Sequence, residues 1–136
     1  MIMKLSSKTI TAIKMFIDLG EHYEEGYISL VDIANRKELS KKFLEQIVPL
    51  YKASGLLLGT RGNQGGYRLA KSPNEVTLKD IIYVSEIGLG KENVGYAPID
   101  DFLNQIDKHL EIYLEKKTLA DLIESANESY SNNYII

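Results

Sequence analysis

The sequence contains no cysteine. That single absence removes disulfides, zinc ribbons, thiolate nucleophiles and cysteine-held iron–sulfur clusters together. No apolar run approaches the ~20 residues needed to span a bilayer. Met1 to Leu5 shows neither the apolar stretch nor the small-residue cleavage site of a secretory signal, so the expected location is the cytoplasm. Nucleotide-binding loops are missing as well. Arg61 to Gly66 is followed by Tyr67-Arg68-Leu69 instead of Lys-Ser/Thr and a helix, and Gly88-Leu89-Gly90 is too sparse for a dinucleotide fingerprint. His22 and His109 lie on different predicted helices and read as surface residues. With no histidine–carboxylate motif and no metal-ligand spacing, neither an enzyme nor a cofactor or metal is expected.

What remains is the composition of one soluble domain: 136 residues, 44% apolar and 26% charged, enough to bury a core. The net charge of −3 hides an asymmetry. Met1 to Lys71 carries eleven Lys and Arg against seven Asp and Glu, whereas Ser72 to Ile136 carries five against twelve. A basic half joined to an acidic half suggests one module facing a polyanion and one facing water or protein, though scatter of surface charge gives the same numbers.

Periodicity and capping residues predict a mainly α chain with a small β-hairpin wing. Ser6 or Ser7 caps a first helix to about Leu19, with Ile10, Ile13, Phe16, Ile17 and Leu19 buried and Gly20 ending the stripe. Ser29 and Asp32 open a short second helix through Ile33, Ala34 and Arg36. Ser40 caps a third, in which Phe43, Leu44, Ile47, Leu50 and Tyr51 are the apolar positions and Pro49 predicts a bend. Two short helices in succession, the second with Lys41 and Lys42 in its first turn, form a helix-turn-helix pattern. Those lysines oppose the helix dipole; they suit phosphates lying opposite, or equally a solvated face. Leu56 to Thr60 and Tyr67 to Ala70 read as a hairpin around Arg61-Gly62-Asn63-Gln64-Gly65-Gly66, whose glycines permit close approach to a phosphate or groove.

Thr77 with Asp80 caps a fourth helix, and Gly88 to Pro98 is a loop. Ile99, Phe102, Ile106, Leu110 and Tyr113 then recur at steps of three and four, with Leu103 and Leu114 alongside. This seam has coiled-coil spacing; it fits an intramolecular contact, but its length on so small a chain favours a dimer. Thr118 and Asp121 cap a last helix, and the tail is polar from about Asn127 until Tyr134-Ile135-Ile136. The expected organisation is a DNA-binding domain over 1–86, a loop over 87–98, a dimerisation helix and short final helix over 99–129, and a tail over 130–136.

Three segments together resemble the Rrf-two family of winged-helix transcription regulators. They are Met3-Lys4-Leu5-Ser6, the stretch Phe43-Leu44-Glu45-Gln46-Ile47, and Arg61-Gly62-x-x-Gly65-Gly66-Tyr67-Arg68-Leu69-Ala70. The resemblance implies a winged helix-turn-helix plus a long C-terminal dimerisation helix, working as a homodimer on a pseudo-palindromic stretch of double-stranded DNA. By chemistry, Gln46 can pair with a base edge, Glu45 can accept from cytosine N4, and Lys41 and Lys42 meet phosphate. By resemblance, Ser40, Glu45 and Gln46 are the base-reading positions and Arg61 is the minor-groove arginine. Asn63, Gln64 and Gly65 extend the wing, and Lys4, Ser6 and Lys8 touch the DNA backbone, partly through N–H groups at the helix terminus. Tyr67 either packs under the wing or contacts DNA. Iron–sulfur members of the family carry a cysteine cluster before the dimer helix; here Gly88 to Pro98 has none, so the expectation is a cluster-free regulator that acts as a repressor. The terminal Tyr134, Ile135 and Ile136 also resemble the isoleucine tail by which serine acetyltransferase docks into cysteine synthase, which makes a partner protein of that kind an alternative controller. The same tail fits packing on its own dimer, or plain disorder, better.

Overall fold

The computed structural model describes residues 4–62, 65–86 and 93–134. Among these residues six α-helices surround a two-stranded hairpin: α1 (Ser7–Glu21), α2 (Leu30–Lys37), α3 (Lys41–Ala53), β1 (Leu57–Thr60), β2 (Gly66–Leu69), α4 (Leu78–Ser85), α5 (Ala97–Lys116) and α6 (Leu119–Tyr134). A short 3-10 turn, Tyr23–Glu25, follows α1. The expected fold class, mainly α with a β-hairpin wing and a long C-terminal helix, is the observed one.

Side-chain caps start most of these helices. Ser6, Ser29, Ser40 and Thr77 each accept from a backbone amide three residues on. Thr77 and Asp80 complete a reciprocal capping box. The core is built from Met15, Phe16 and Leu19 of α1, Ile33 of α2, Leu44, Ile47 and Tyr51 of α3, Leu69 of β2 and Ile81 of α4. Phe16 and Tyr51 meet edge to face with ring centroids 4.9 Å apart. The Tyr51 hydroxyl donates to the Ile81 carbonyl at 2.8 Å, which removes the cost of burying it. Burial raises the pKa of that phenol, so it stays a neutral donor.

Several boundaries differ from expectation, each for a local reason. Gly20 lies inside α1 and does not end it. A Cβ there would stand 2.6 Å from Ile123 Cδ1, so the glycine marks where α6 crosses α1. Ile10, expected inside, is 41% exposed, and Ala12, Met15 and Asp18 take the buried side instead. α3, by contrast, runs as expected through Pro49 to Ala53. Pro49 is exposed, so the Glu45 carbonyl that it cannot serve lies on the solvent side, where the missing bond costs least. α5 starts at Ala97, because Pro98 in the first turn has no N–H to lose, and the expected loop is correspondingly shorter. α6 carries its backbone to Tyr134, past the expected start of the tail, since the polar run after Asn127 contains no glycine or proline to stop it. Ile135 and Ile136 lie outside the described residues.

Candidate nucleic-acid interface

α1 and α2 are locked together by charge. Asp18, fully buried, accepts from Arg36 through two bonds of 2.9 Å, Nε to Oδ1 and Nη2 to Oδ2. The hydrogen bond to Asp18 raises the Arg36 pKa. Lys37 reaches Glu21 at 2.7 Å. His22, expected to be a lone surface residue, sits between Asp18 and a hydrogen bond to Glu25. The turn into α3 is tight. Glu38 adopts a left-handed conformation (φ 54°, ψ 51°), and the Leu39 amide returns to the Ala34 carbonyl at 2.9 Å. α3 is thereby presented at a fixed angle to the rest of the domain.

On α3, Leu44, Ile47, Val48 and Tyr51 face inward. Ser40, Lys41, Lys42, Glu45 and Gln46 are all exposed, on a side left open by the described residues. Lys41 and Glu45 stand 3.6 Å apart, and at over half exposure the pair is worth little in water. Both stay free to exchange partners.

The wing is held at its base more firmly than a hairpin alone would be. β1 pairs antiparallel with β2, Leu57 opposite Leu69 and Thr60 opposite Gly66. Ile28, in the loop before α2, adds a third strand position: its amide and carbonyl each bond Tyr67 at 2.8 Å. This explains Gly66. A Cβ there would lie 2.3 Å from the Ile28 carbonyl oxygen, and one on Gly65 would lie 2.6 Å from that of Thr60. Both glycines are therefore required by the protein's own backbone, which is a simpler cause than the expected approach to a phosphate. Arg61 follows β1 and is exposed, with Gly62 at φ 106° turning the chain behind it. Asn63 and Gln64 lie outside the described residues. Tyr67 packs under the wing against α3, where a cleft of about 380 Å³ is lined by Glu45, Val48, Pro49, Lys52 and Tyr67. Arg68 on the next position lies over the rings of Tyr23 and Tyr27, 5.8 and 5.6 Å from their centroids.

The start of α1 departs from expectation. The Ser6 amide donates to Glu86 Oε1 at 2.7 Å and the Thr9 hydroxyl to the same oxygen at 2.6 Å. Thr9 also meets Ser85, and both are buried. The Thr9 bond, followed by the Ser6 contacts, holds the Glu86 carboxyl below the usual carboxylate range. A carboxylate thus already occupies the positive end of α1, and the Ser6 N–H is not available to phosphate. Lys4 stays exposed and Lys8 half-buried, close enough to Glu86 to favour its charge.

The C-terminal seam divides in two. Ile99, Phe102 and Tyr113 are 45%, 59% and 58% exposed, with Ile112 beside them. Leu103 and Ile106 are half-buried. Leu114, counted in the seam from its spacing, is 4% exposed and closes the core of its own chain; Leu110 leans on the same core. Both belong to the inner face of α5. Lys79 of α4 fixes that helix by reaching Glu111 at 2.8 Å and Glu115 at 2.6 Å, and those bonds raise its pKa.

A family described as Rrf2, iron-dependent transcriptional regulator, matches residues 5–125. The chain belongs to the Rrf2 family. It is 39% identical over 84 residues to the HTH-type transcriptional regulator CymR of Bacillus subtilis, a stretch covering 62% of this chain and 61% of that protein. It is 38% identical over 80 residues to the regulator IscR of Aliivibrio salmonicida, covering 59% and 48%. The chain spans about half the length of the curated relatives it matches. Among solved structures, the B. subtilis cysteine regulator CymR superposes with a TM-score of 0.81 at 31% identity, covering 91% of this chain and 98% of that one. IscR of T. potens gives 0.79 at 35% identity, covering 93% and 90%. This is a family of transcriptional regulators, in keeping with the non-enzymatic reading of the sequence.

Iron is part of the family's description, so the donor set of this member matters. The chain has no cysteine, and among the described residues no group of three His, Cys, Asp or Glu side chains is placed to hold a metal ion. The residues do not fit a thiolate-held cluster. No described helix is long and apolar enough to cross a membrane.

Sequence reasoning missed Glu86, Lys52 and Gly59. Lys52 was findable: it lies seven residues after Glu45 and so shares its helical stripe. Glu86 carried no local signal, because its partners are 77 and 80 residues away.

Proposed function

We propose that the protein is a sequence-specific DNA-binding repressor that acts as a homodimer and uses no iron–sulfur cluster. The observation that carries this reading is the uncovered polar face of α3, bearing Ser40, Lys42, Glu45 and Gln46, beside a wing that ends in exposed Arg61. An α-helix fits the major groove, where glutamine and glutamate read base edges, and an arginine on an adjoining hairpin reaches the minor groove. Lys41 and Lys42 supply sequence-independent phosphate contacts. The exposed apolar stripe of Ile99, Phe102 and Tyr113 supports pairing with a second copy, which would double the reading head onto a pseudo-palindromic site. Occupying such a site where it overlaps a promoter would repress by exclusion, with no need of a further surface.

The test is binding of a duplex selected by the protein from a random library. Gln46→Ala and Arg61→Ala are each expected to weaken that complex by roughly 1–3 kcal/mol while changing binding to unrelated duplex less. Undiminished selective binding by both variants, measured by fluorescence anisotropy, refutes the proposed reading head.

A further inference from the structure

We infer that the cleft between α3 and the wing seats a phosphodiester of the bound strand, anchored by Lys52, with Tyr67 and Gly59 as positioning residues. The inference rests on the DNA-binding reading above and assigns a contact within it. Three elements converge there. Lys52 projects from the last turn of α3, its Nζ 6.0 Å from the ring centroid of Tyr67 on β2. Gly59 on β1 lies beneath both: a Cβ at that position would stand 3.2 Å from Lys52 Nζ, 3.3 Å from its Cε and 3.0 Å from Tyr67 Cε1. Any side chain at residue 59 would push the ammonium group or the ring out of place. Glycine is needed here for space, since its φ is not among the positive ones.

Charge gives the cleft a direction. Glu45 and Lys52 both line it, seven residues apart on one helical stripe, which is about 10 Å along the axis. Val48, Pro49 and Tyr67 form the apolar floor between them. A phosphate is repelled at the Glu45 end and attracted at the Lys52 end. Lys52 forms no ion pair with a carboxylate among the described residues, unlike Lys37, Lys41 and Lys79. Arg36 is likewise spent on Asp18. Neighbouring major and minor grooves are separated by one sugar–phosphate strand. A helix in one and a hairpin in the other must straddle that strand, and the groove between them is this cleft. Glu45 then faces base edges and Lys52 faces the backbone.

The experiment is a salt titration of binding, by anisotropy, to two probes: the library-selected duplex and a mixed-sequence duplex. Lys52→Gln is expected to weaken both by about tenfold. It should also flatten the slope of log K against log salt by about 0.9 per bound protomer. Lys52→Arg should keep the slope, and Gly59→Ala should reproduce part of the Lys52→Gln loss by displacing the lysine. If wild type binds and Lys52→Gln leaves slope and affinity unchanged, the phosphate seat is wrong while the DNA-binding reading stands. Loss confined to the selected duplex would make Lys52 a base reader and overturn the assignment. A wild-type protein that binds neither probe removes the inference together with the reading beneath it. A purely structural role would lower the thermal midpoint without moving the salt slope, and that result also overturns it.

Discussion

The winged-helix portion, residues 4–86, and the helix pair that follows it differ in how much of their apolar surface they bury. All of the buried apolar core except Leu114 and Leu119 lies in the first portion. α5, twenty residues long, buries only Leu114 and leaves Ile99, Phe102, Ile112 and Tyr113 in solvent. Charge divides the same way, positive before Ser72 and negative after it. The first portion closes a core of its own and leaves only separate apolar side chains such as Ile10, Val31 and Leu58 exposed. The second holds an apolar stripe open, which is costly for an isolated chain and reasonable for one that pairs.

The contrast can be broken from either side. Phe16→Ala should lower unfolding free energy by about 3–5 kcal/mol, measured by denaturant titration, because it empties the centre of the first core and strands Tyr51. A loss under 1 kcal/mol would mean the core is not where it is drawn. Phe102→Asp should leave the fold of the single chain intact yet weaken self-association by roughly 2 kcal/mol or more. Analytical ultracentrifugation should then show monomers at concentrations where the proposed wild-type dimer persists; association unchanged by the substitution would place the interface elsewhere. Glu86→Gln is the smallest change, about 1 kcal/mol after allowance for solvent screening. Its sign with pH is fixed by the lowered folded-state pKa. The charged form's contribution is complete above the unfolded carboxylate value and is lost as pH falls through the folded one, so acid should erase the difference between variant and wild type. A difference that persists in acid would show that the carboxylate charge is not what holds α1.

The sequence made the helices, the hairpin and the exposed face of α3 legible because each rests on local signals: serine and threonine caps, apolar spacing, and turn glycines. It failed where the cause was distant. Gly20 looked like a helix stop and is a crossing point for Ile123, a hundred residues on. Gly65 and Gly66 looked like room for DNA and are room for Thr60 and Ile28. Ser6 looked like a free helix terminus and is already bonded to Glu86. Leu114 fitted the dimer spacing, but the same period serves both faces of an amphipathic helix, and only tertiary contact tells them apart.

The grip of Lys79 on two glutamates one turn apart bears on how such a regulator would measure DNA. It splints α5 to α4, and α4 is tied to α3 through the Tyr51 hydroxyl. In the proposed dimer α5 would act like the arm of a calliper whose jaws are the two copies of α3. A change in the crossing angle at such a pivot would then alter the separation of the jaws relative to the helical repeat of a duplex.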